Sequence, residues 1–298
     1  MAVADLGMKC KIAILSLCEG DNKNTFVDAL LRSLSFYSPT SGMEITVIGD
    51  GKISSEFKVN SLSPESACGI KNFAVSLPEW YREQLSALFF AAYSGGEYTL
   101  ILPTGAFAIA PICDNSLLPR LKARTVWEPR SYHPDWWKNA GEATHRTAMS
   151  PFEGPTVFPG IMNRDLARWT LDIVSRESGR EPIDALTELS LSGIDWSAMS
   201  LYATASGSRF SLYHHDAFAS REYPLMSEQL LWAPHNQKTF QPALRSKANG
   251  GLFTYVHVSE LEDVDDVLDR LYACLKPNRY NLKLNKESVV HEEPNLGI

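Results

Sequence analysis

Residues 76–111, SLPEWYREQLSALFFAAYSGGEYTLILPTGAFAIAP, constrain the fold more than any other stretch. Ser76 and Glu79 have capping-box spacing, and Pro78 falls in the first turn, where its missing N–H is harmless. Apolar residues at Trp80, Tyr81, Leu85, Leu88, Phe89 and Ala92 then share one helical face. Gly95 and Gly96 end the helix, since glycine takes up the left-handed conformation of a helix stop without strain. Residues 98–102, YTLIL, form a continuous apolar run stopped by Pro103. A short run of this kind predicts a strand covered on both faces, as in a parallel sheet. The turn behind it, Pro103-Thr104-Gly105-Ala106, would leave the carboxyl edge of that sheet. Open α/β sheets hold their ligands there.

The rest of the chain extends the same pattern. Residues 11–17, KIAILSL, predict a first buried strand, followed by the polar loop Cys18-Glu19-Gly20-Asp21-Asn22. A helix starting near Thr25 carries Phe26, Ala29, Leu30, Leu34 and Tyr37 on one face and stops at Pro39. Residues 44–48, EITVI, predict a second strand closed by Gly49-Asp50-Gly51. Such a strand-helix-strand unit packs as a right-handed crossover. The polar stretch 52–75 has room for one more short strand, around 56–59. Further on, 156–158 reads as a strand end. Asn163 is placed to cap a helix with Leu166, Trp169, Ile173 and Val174 on one face, and a second helix is expected over 183–191. Residues 210–213 read as a strand ahead of His214-His215-Asp216. Residues 251–259 read as a late strand, followed by a helix bearing Val264, Val267, Leu268, Leu271 and Leu275. Acids from Glu260 to Asp266 gather at that helix's start, where they complement its dipole. The expected fold is α/β, with a mixed, mainly parallel sheet and helices on both faces. It forms one domain over 1–275, with 276–298 as a tail or arm.

Composition narrows the functions. The formal net charge of −7 argues against a nucleic-acid partner or a general anionic-membrane surface, and leaves room for a local basic pocket. The five cysteines are scattered without a C-x-x-C pair, as expected of reduced core thiols in a cytoplasmic protein. No apolar run approaches the ~18 residues of a membrane span, and residues 1–10 lack the pattern of a secretory signal. There is no phosphate loop, no H-E-x-x-H, no G-x-S-x-G and no Gly-x-Gly-x-x-Gly after the first strand. Residues 113–154 are weakly periodic and crowded with basic and aromatic side chains, Trp127, Arg130, Trp136, Trp137 and Lys138 among them. They read either as an irregular segment covering a ligand or as rings filling a secondary core.

The helix–strand unit resembles the GT-A glycosyltransferases, in particular a bacterial branch with the pattern Trp-Tyr-x-Gln-Gln, helix, Tyr-x-Leu-x-Leu-Asp-x-Asp, apolar segment, Pro. Trp80, Tyr81, Gln84, Tyr98, Leu100, Leu102 and Pro111 match it. Pro103-Thr104-Gly105 stands where that family has Asp-x-Asp. A second motif, Ser-Glu-hydrophobic-x-Leu-Tyr, is met at Ser197, Leu201 and Tyr202, with Ala198 at the carboxylate position.

The resemblance implies a Rossmann-like GT-A fold and transfer of a sugar from a nucleotide sugar to a glycan or small-molecule acceptor. It implies donor contacts at Ser16, Glu19, Asp21, Asp50, Gln84, Thr104 and Gly105. Asp21 and Asp50 also suit plain turns. It implies acceptor or sugar contacts at Trp136, Trp137, Gly160, Ser197 and Tyr202. His214, His215 and Asp216 become candidates for proton transfer or ligation, or else a polar turn. The family's usual ion is Mn²⁺ or Mg²⁺, but proline, a hydroxyl and glycine are poor ligands for it, so no metal ligand is assigned. Without the metal, guanidinium or ammonium groups would have to offset the diphosphate charge, with Arg120, Arg124, Arg130, Lys138, Arg146 and Arg221 as candidates. The alternative is a catalytically degenerate binding or scaffolding protein on the same fold.

Overall fold

The computed structural model describes residues 10–16, 23–37, 43–49, 53, 57–69, 77–93, 96–155, 158–226 and 251–255. In chain order its first elements are β1 (Cys10–Ser16), α1 (Lys23–Tyr37), β2 (Ile45–Gly49), β3 (Asn60–Leu62), α2 (Pro64–Cys68), α3 (Glu79–Tyr93), β4 (Tyr98–Pro103) and β5 (Ala106–Ala108). They are followed by α4 (Asp114–Leu117), β6 (Glu128–Pro129), α5 (Pro134–Thr144), β7 (Glu153–Gly154) and β8 (Gly160–Asn163). The last are α6 (Arg164–Ser178), α7 (Pro182–Leu191), α8 (Ala198–Ser206), α9 (Phe210–Tyr213), α10 (Ala217–Glu222) and β9 (Phe253–Tyr255).

Five strands form the main sheet in the order β3-β2-β1-β4-β8. β1 runs parallel to both β2 and β4, β2 is parallel to β3, and β8 alone is antiparallel. The fold is therefore α/β with a mixed, mainly parallel sheet. The unbroken apolar runs of β1 and β4 follow from covering on both faces. Ile12 and Ile14 pack with Val27, Leu30 and Leu34 of α1, together with Tyr98, Leu100 and Leu102. Ala13 and Leu15 turn the other way, with Ile101, onto Ala87 and Phe90 of α3. Each such fully buried leucine or isoleucine contributes about 2 kcal/mol relative to an exposed one. Beyond α3 a second core brings α5, α6, α7 and α8 together around Leu85, Leu88, Met162, Trp196 and Tyr202. Short ladders β5–β9 and β6–β7 complete the framework. No helix among the described residues is long and apolar enough to cross a membrane.

Several expectations need correction. Residues 210–213 are the helix α9, entered through a 3₁₀ turn at Gly207–Arg209. Four residues with alternating apolar positions are too short for either period to decide. The strand expected to end at 158 is instead Gly160–Asn163, running straight into its own helix cap, while 156–157 lie outside the described residues. The third strand is Asn60–Leu62 rather than 56–59. The segment 113–154 is not irregular throughout, since it holds α4, α5 and both strands of the small β6–β7 ladder. Ser76, Gly95, the acids from Glu260 to Asp266, the last helix and the tail from 276 lie outside the described residues, and of the expected late strand Phe253–Tyr255 is described.

Where β1 and β2 end side by side, Ser16 pairs with Gly49. A Cβ placed on Gly49 would stand 2.1 Å from the carbonyl oxygen of Ser16 and 2.8 Å from its carbonyl carbon. The obstacle is main chain, which no rotamer change can move. Gly49→Ala is expected to cost about 3 kcal/mol, the upper end for overpacking. A urea-unfolding midpoint equal to wild type would show that the two strand ends do not approach this closely.

Candidate functional site

The sheet reverses its winding direction between β1 and β4, so the crevice at their carboxyl ends is where an α/β sheet of this order holds a ligand. Leu15 is in register with Pro103 and Ile101 with Gly160, so Ser16, Thr104, Gly105 and Gly160 all stand along one edge. Thr104 is partly exposed in the turn after β4, and Gly105 is buried. Ser16 is 1% exposed, and its Oγ has no hydrogen-bond partner.

Two motifs that lie far apart in the sequence meet at this edge. Gly160 lies against Met199 of α8, whose Sδ would be 2.9 Å from an added Cβ. The start of α8 is capped twice. Ser197 Oγ accepts from Ser200 N at 3.1 Å, and Gln84 Oε1 of α3 accepts from Ala198 N at 2.9 Å. That second bond fixes the Gln84 amide, because only the oxygen can face an N–H. Its Nε2 is then directed elsewhere and has no partner, in a residue only 1% exposed. Trp80 Nε1 donates to the Trp196 carbonyl at 3.3 Å. Tyr81 Oη donates to Asp195 Oδ1 at 2.9 Å, and burial, then Asp195, push its pKa up to about 12. Outside this lock the rings of Trp80, Trp136 and His133 stack in sequence, with centroids 5.2 Å and 3.9 Å apart.

His214 lies elsewhere. Tyr202 Oη accepts from Asn163 N at 2.9 Å and meets His214 Nε2 at 2.7 Å. On the other side of the ring His214 Nδ1 meets Thr125 Oγ1 at 3.2 Å, and Thr125 Oγ1 donates to Ala123 O at 3.4 Å. One assignment satisfies every atom: Tyr202 donates to Nε2, and Nδ1 carries the proton it gives to Thr125. The imidazole is therefore neutral. Burial first, then the neighbouring His215, lowers its pKa from 6.5 to about 3. Burial likewise raises that of Tyr202. Asn163 is paired with Tyr98, at the end of β4 opposite Pro103, a strand length of roughly 15 Å from the carboxyl edge.

Ser16, Thr104, Gly105 and Gly160 thus stand along one edge, Gln84 and Ser197 meet at the start of α8, whose Met199 lies against Gly160, Trp136 stacks on Trp80, and Tyr202 and His214 lie toward the other end of β4. His215 is buried, with Nε2 on the Pro119 carbonyl at 2.8 Å, and Asp216 caps α10 through Ala219 N. Trp137 is a core ring, with the Arg130 guanidinium 4.5 Å from its centroid. Glu19, Asp21 and Asp50 lie outside the described residues. The sequence did not single out Met199 as the side chain packed on Gly160, Thr125 as a partner of His214, or the main-chain N–H of Asn163 as a donor to Tyr202. Only spatial neighbours give those residues their roles, and no motif spacing signals them. The turn at 103–105 offers one hydroxyl and no carboxylate, which does not fit Mg²⁺ or Mn²⁺. Among the described residues no group of three or more His, Cys, Asp or Glu could hold a metal ion.

In its fold the chain is similar to the galactosyltransferase LgtC solved with donor and acceptor sugar analogs, at 11% identity over 89% of this chain and 95% of that one, with a TM-score of 0.43. It is also similar to the bifunctional glycosyltransferase WbbM (10% identity, 90% and 50% covered, TM-score 0.45). A third likeness is to glucosyl-3-phosphoglycerate synthase from Mycobacterium tuberculosis (12% identity, 61% and 69% covered, TM-score 0.31). No curated protein matches the chain. A family model matches residues 32–276, most of the sequence, and the protein belongs to that family, described as a family of unknown function (DUF6492).

Proposed function

We propose that the chain binds a nucleotide sugar in the crevice between the carboxyl ends of β1 and β4, and transfers the sugar to a glycan or small-molecule acceptor. The observation that carries this reading is Ser16 Oγ, a buried hydroxyl without a partner at the end of β1, where the sheet's winding reverses, with a second such atom, Gln84 Nε2, at the capped start of α8. A buried polar group left unpaired costs about 1–3 kcal/mol, which a polyhydroxylated ligand would recover. In transfer the bond from the anomeric carbon to the diphosphate oxygen breaks and a bond to the acceptor oxygen forms. The acceptor's proton is lost, and the charge left on the diphosphate must be held. Ser16, Thr104 and Gly105 would line the donor side. Gly160, Ser197 and the Trp136 ring would line the acceptor side, a pyranose face packing on the ring. No step is assigned to a metal, because the turn at 103–105 does not supply its ligands, and none to His214, which has a structural occupation at the other end of the sheet.

The test is thermal stabilisation by uridine, guanosine and cytidine diphosphates, with and without Mn²⁺. At a hundredfold excess over Kd the right nucleotide stabilises by about 2.7 kcal/mol. Thr104→Val and Ser16→Val should each weaken it about tenfold, the worth of one hydrogen bond to a charged group. No shift with any nucleotide would sink the reading. A second reading, a binding protein without catalysis, is favoured by the single hydroxyl at 103–105. It predicts stabilisation without release of nucleoside diphosphate from any donor sugar.

A further inference from the structure

We infer that the acceptor is a sugar carrying an anionic group, a carboxylate or a phosphate, with the anion held at the start of α8 and the sugar against the Trp80–Trp136–His133 stack. This rests on the transfer reading above and names the acceptor class which that reading leaves open. The start of the nine-residue helix α8 gathers donors that lack acceptors. Ala198 N is taken by Gln84 Oε1, Ser200 N by Ser197 Oγ, and Leu201 N by the Ser197 carbonyl. Met199 N, between them, has no acceptor among the described residues. Gln84 Nε2 has none either, in a residue 1% exposed. Gln84 Oε1 lies 2.9 Å from Ala198 N, so amide geometry keeps Nε2 within about 5 Å of the same helix start. The Ser197 and Ser200 hydroxyls are bonded to each other.

The two free groups can only donate. Their complement is a group that only accepts, and the positive end of a helix favours one with a negative charge. A sugar hydroxyl would bring a further proton to a place that already offers protons, whereas a carboxylate or phosphate has an oxygen for each donor. No described carboxylate bonds Met199 N or Gln84 Nε2. Glu79 and Glu83 adjoin Trp80 and Gln84 in the chain and so lie off the helical face those two share. Asp195 is exposed and takes the Tyr81 hydroxyl, and Asp135 is exposed to screening by water.

The aromatic stack borders this helix start. Trp80 and Gln84 stand one turn apart on the same face of α3. Trp80 Nε1 donates to the Trp196 carbonyl at 3.3 Å, two residues and at most roughly 7 Å of chain before Ala198. The distance from the stack to the free donors is therefore on the scale of one sugar ring with its substituent. Trp80, Trp136 and His133 are each half-buried, so part of the stack meets solvent and gives a pyranose a flat apolar surface. Met199 lies against Gly160 and is unbranched, with three rotatable bonds, so it is the side chain that yields to the incoming anion while the helix stays in place.

The experiment is calorimetric titration of the full chain with glucose, glucuronate and glucose 6-phosphate, with and without the nucleoside diphosphates named above. One of the two anionic sugars should bind about tenfold or more tighter than glucose, the worth of hydrogen bonds to a charged group, and the better of the two identifies the anion. Gln84→Glu keeps an oxygen for Ala198 N and puts negative charge in place of Nε2. It should weaken the anionic sugars about tenfold or more and leave glucose unchanged. Trp136→Ala should weaken all three sugars alike. Equal affinities for the three sugars would overturn the inference, as would an anionic preference that Gln84→Glu leaves intact. If Gln84→Glu does not fold, the wild-type ratio decides, because it compares ligands on one protein. Nucleotide stabilisation without an anionic preference overturns this inference and leaves the transfer reading standing. An anionic preference without nucleotide stabilisation overturns the transfer reading and leaves the binding site for the anionic sugar.

Discussion

Acidification from about pH 7.5 to about pH 5 is expected to remove about 2 kcal/mol of folding stability through His214 alone. The folded imidazole has its pKa lowered from 6.5 to about 3, so it stays neutral where the unfolded chain takes up a proton. The unfolded state then binds more protons, and stability falls as pH drops below 6.5 and continues to fall toward 3. Above 6.5 the contribution is fully present. Urea unfolding of wild type and His214→Gln across this range measures it. Glutamine can still accept from Tyr202 and donate to Thr125, but it does not titrate. The variant's stability should therefore lose the part of the slope between pH 6.5 and 5 that belongs to this residue. Parallel curves for the two proteins would mean that His214 is charged or exposed in the fold, and that the hydrogen-bond direction assigned through Tyr202 is wrong.

Trp196→Ala is expected to cost about 3–5 kcal/mol, the range for deleting a buried aromatic side chain. For a chain of this size that lowers the melting temperature by roughly 5–8 °C. The ring is 2% exposed, lies 6.1 Å from Tyr81 with the planes 28° apart, and its Nε1 donates to Ser190 Oγ at 3.1 Å. Its neighbours multiply the effect. The adjacent Asp195 takes the Tyr81 hydroxyl through its carboxylate and Asn139 Nδ2 through its carbonyl at 2.7 Å. Three helices, α3, α5 and α7, therefore rest on residues 195–196. Trp196→Phe keeps most of the volume and should cost no more than about 2 kcal/mol. Differential scanning calorimetry of the two variants separates the cases. Equal, small losses would show that the site collapses around the missing ring.

The parallel core was legible in the sequence because its signals are local. Runs such as KIAILSL and YTLIL need only their own residues to declare a doubly covered strand, and they correspond to Cys10–Ser16 and Tyr98–Pro103. Asn163 declared its helix in the same way, accepting from Asp165 N and Leu166 N as an N-cap does. Phe210–Tyr213 failed because four residues cannot fix a period, and the preceding 3₁₀ turn carried the chain on as helix. The helix Pro134–Thr144 was hidden by its composition, two tryptophans and an internal Gly141, although Pro134 at its first position is a start signal. The site was legible in part. Thr104 and Gly105 follow from strand order alone. The roles of Trp80, Tyr81, Gln84 and Ser197 as partners across more than a hundred residues of chain do not, because nothing in spacing tells which distant helix end a glutamine caps.

The closeness of Ser16 and Gly49 bears on how this family can diverge. At that corner of the crevice the wall is peptide backbone, with room for a hydrogen and nothing larger. A wall made of backbone keeps its contour while the surrounding alphabet of side chains drifts. Relatives can retain the same corner after every short signature has been erased, and a search for such corners would have to compare shapes rather than letters.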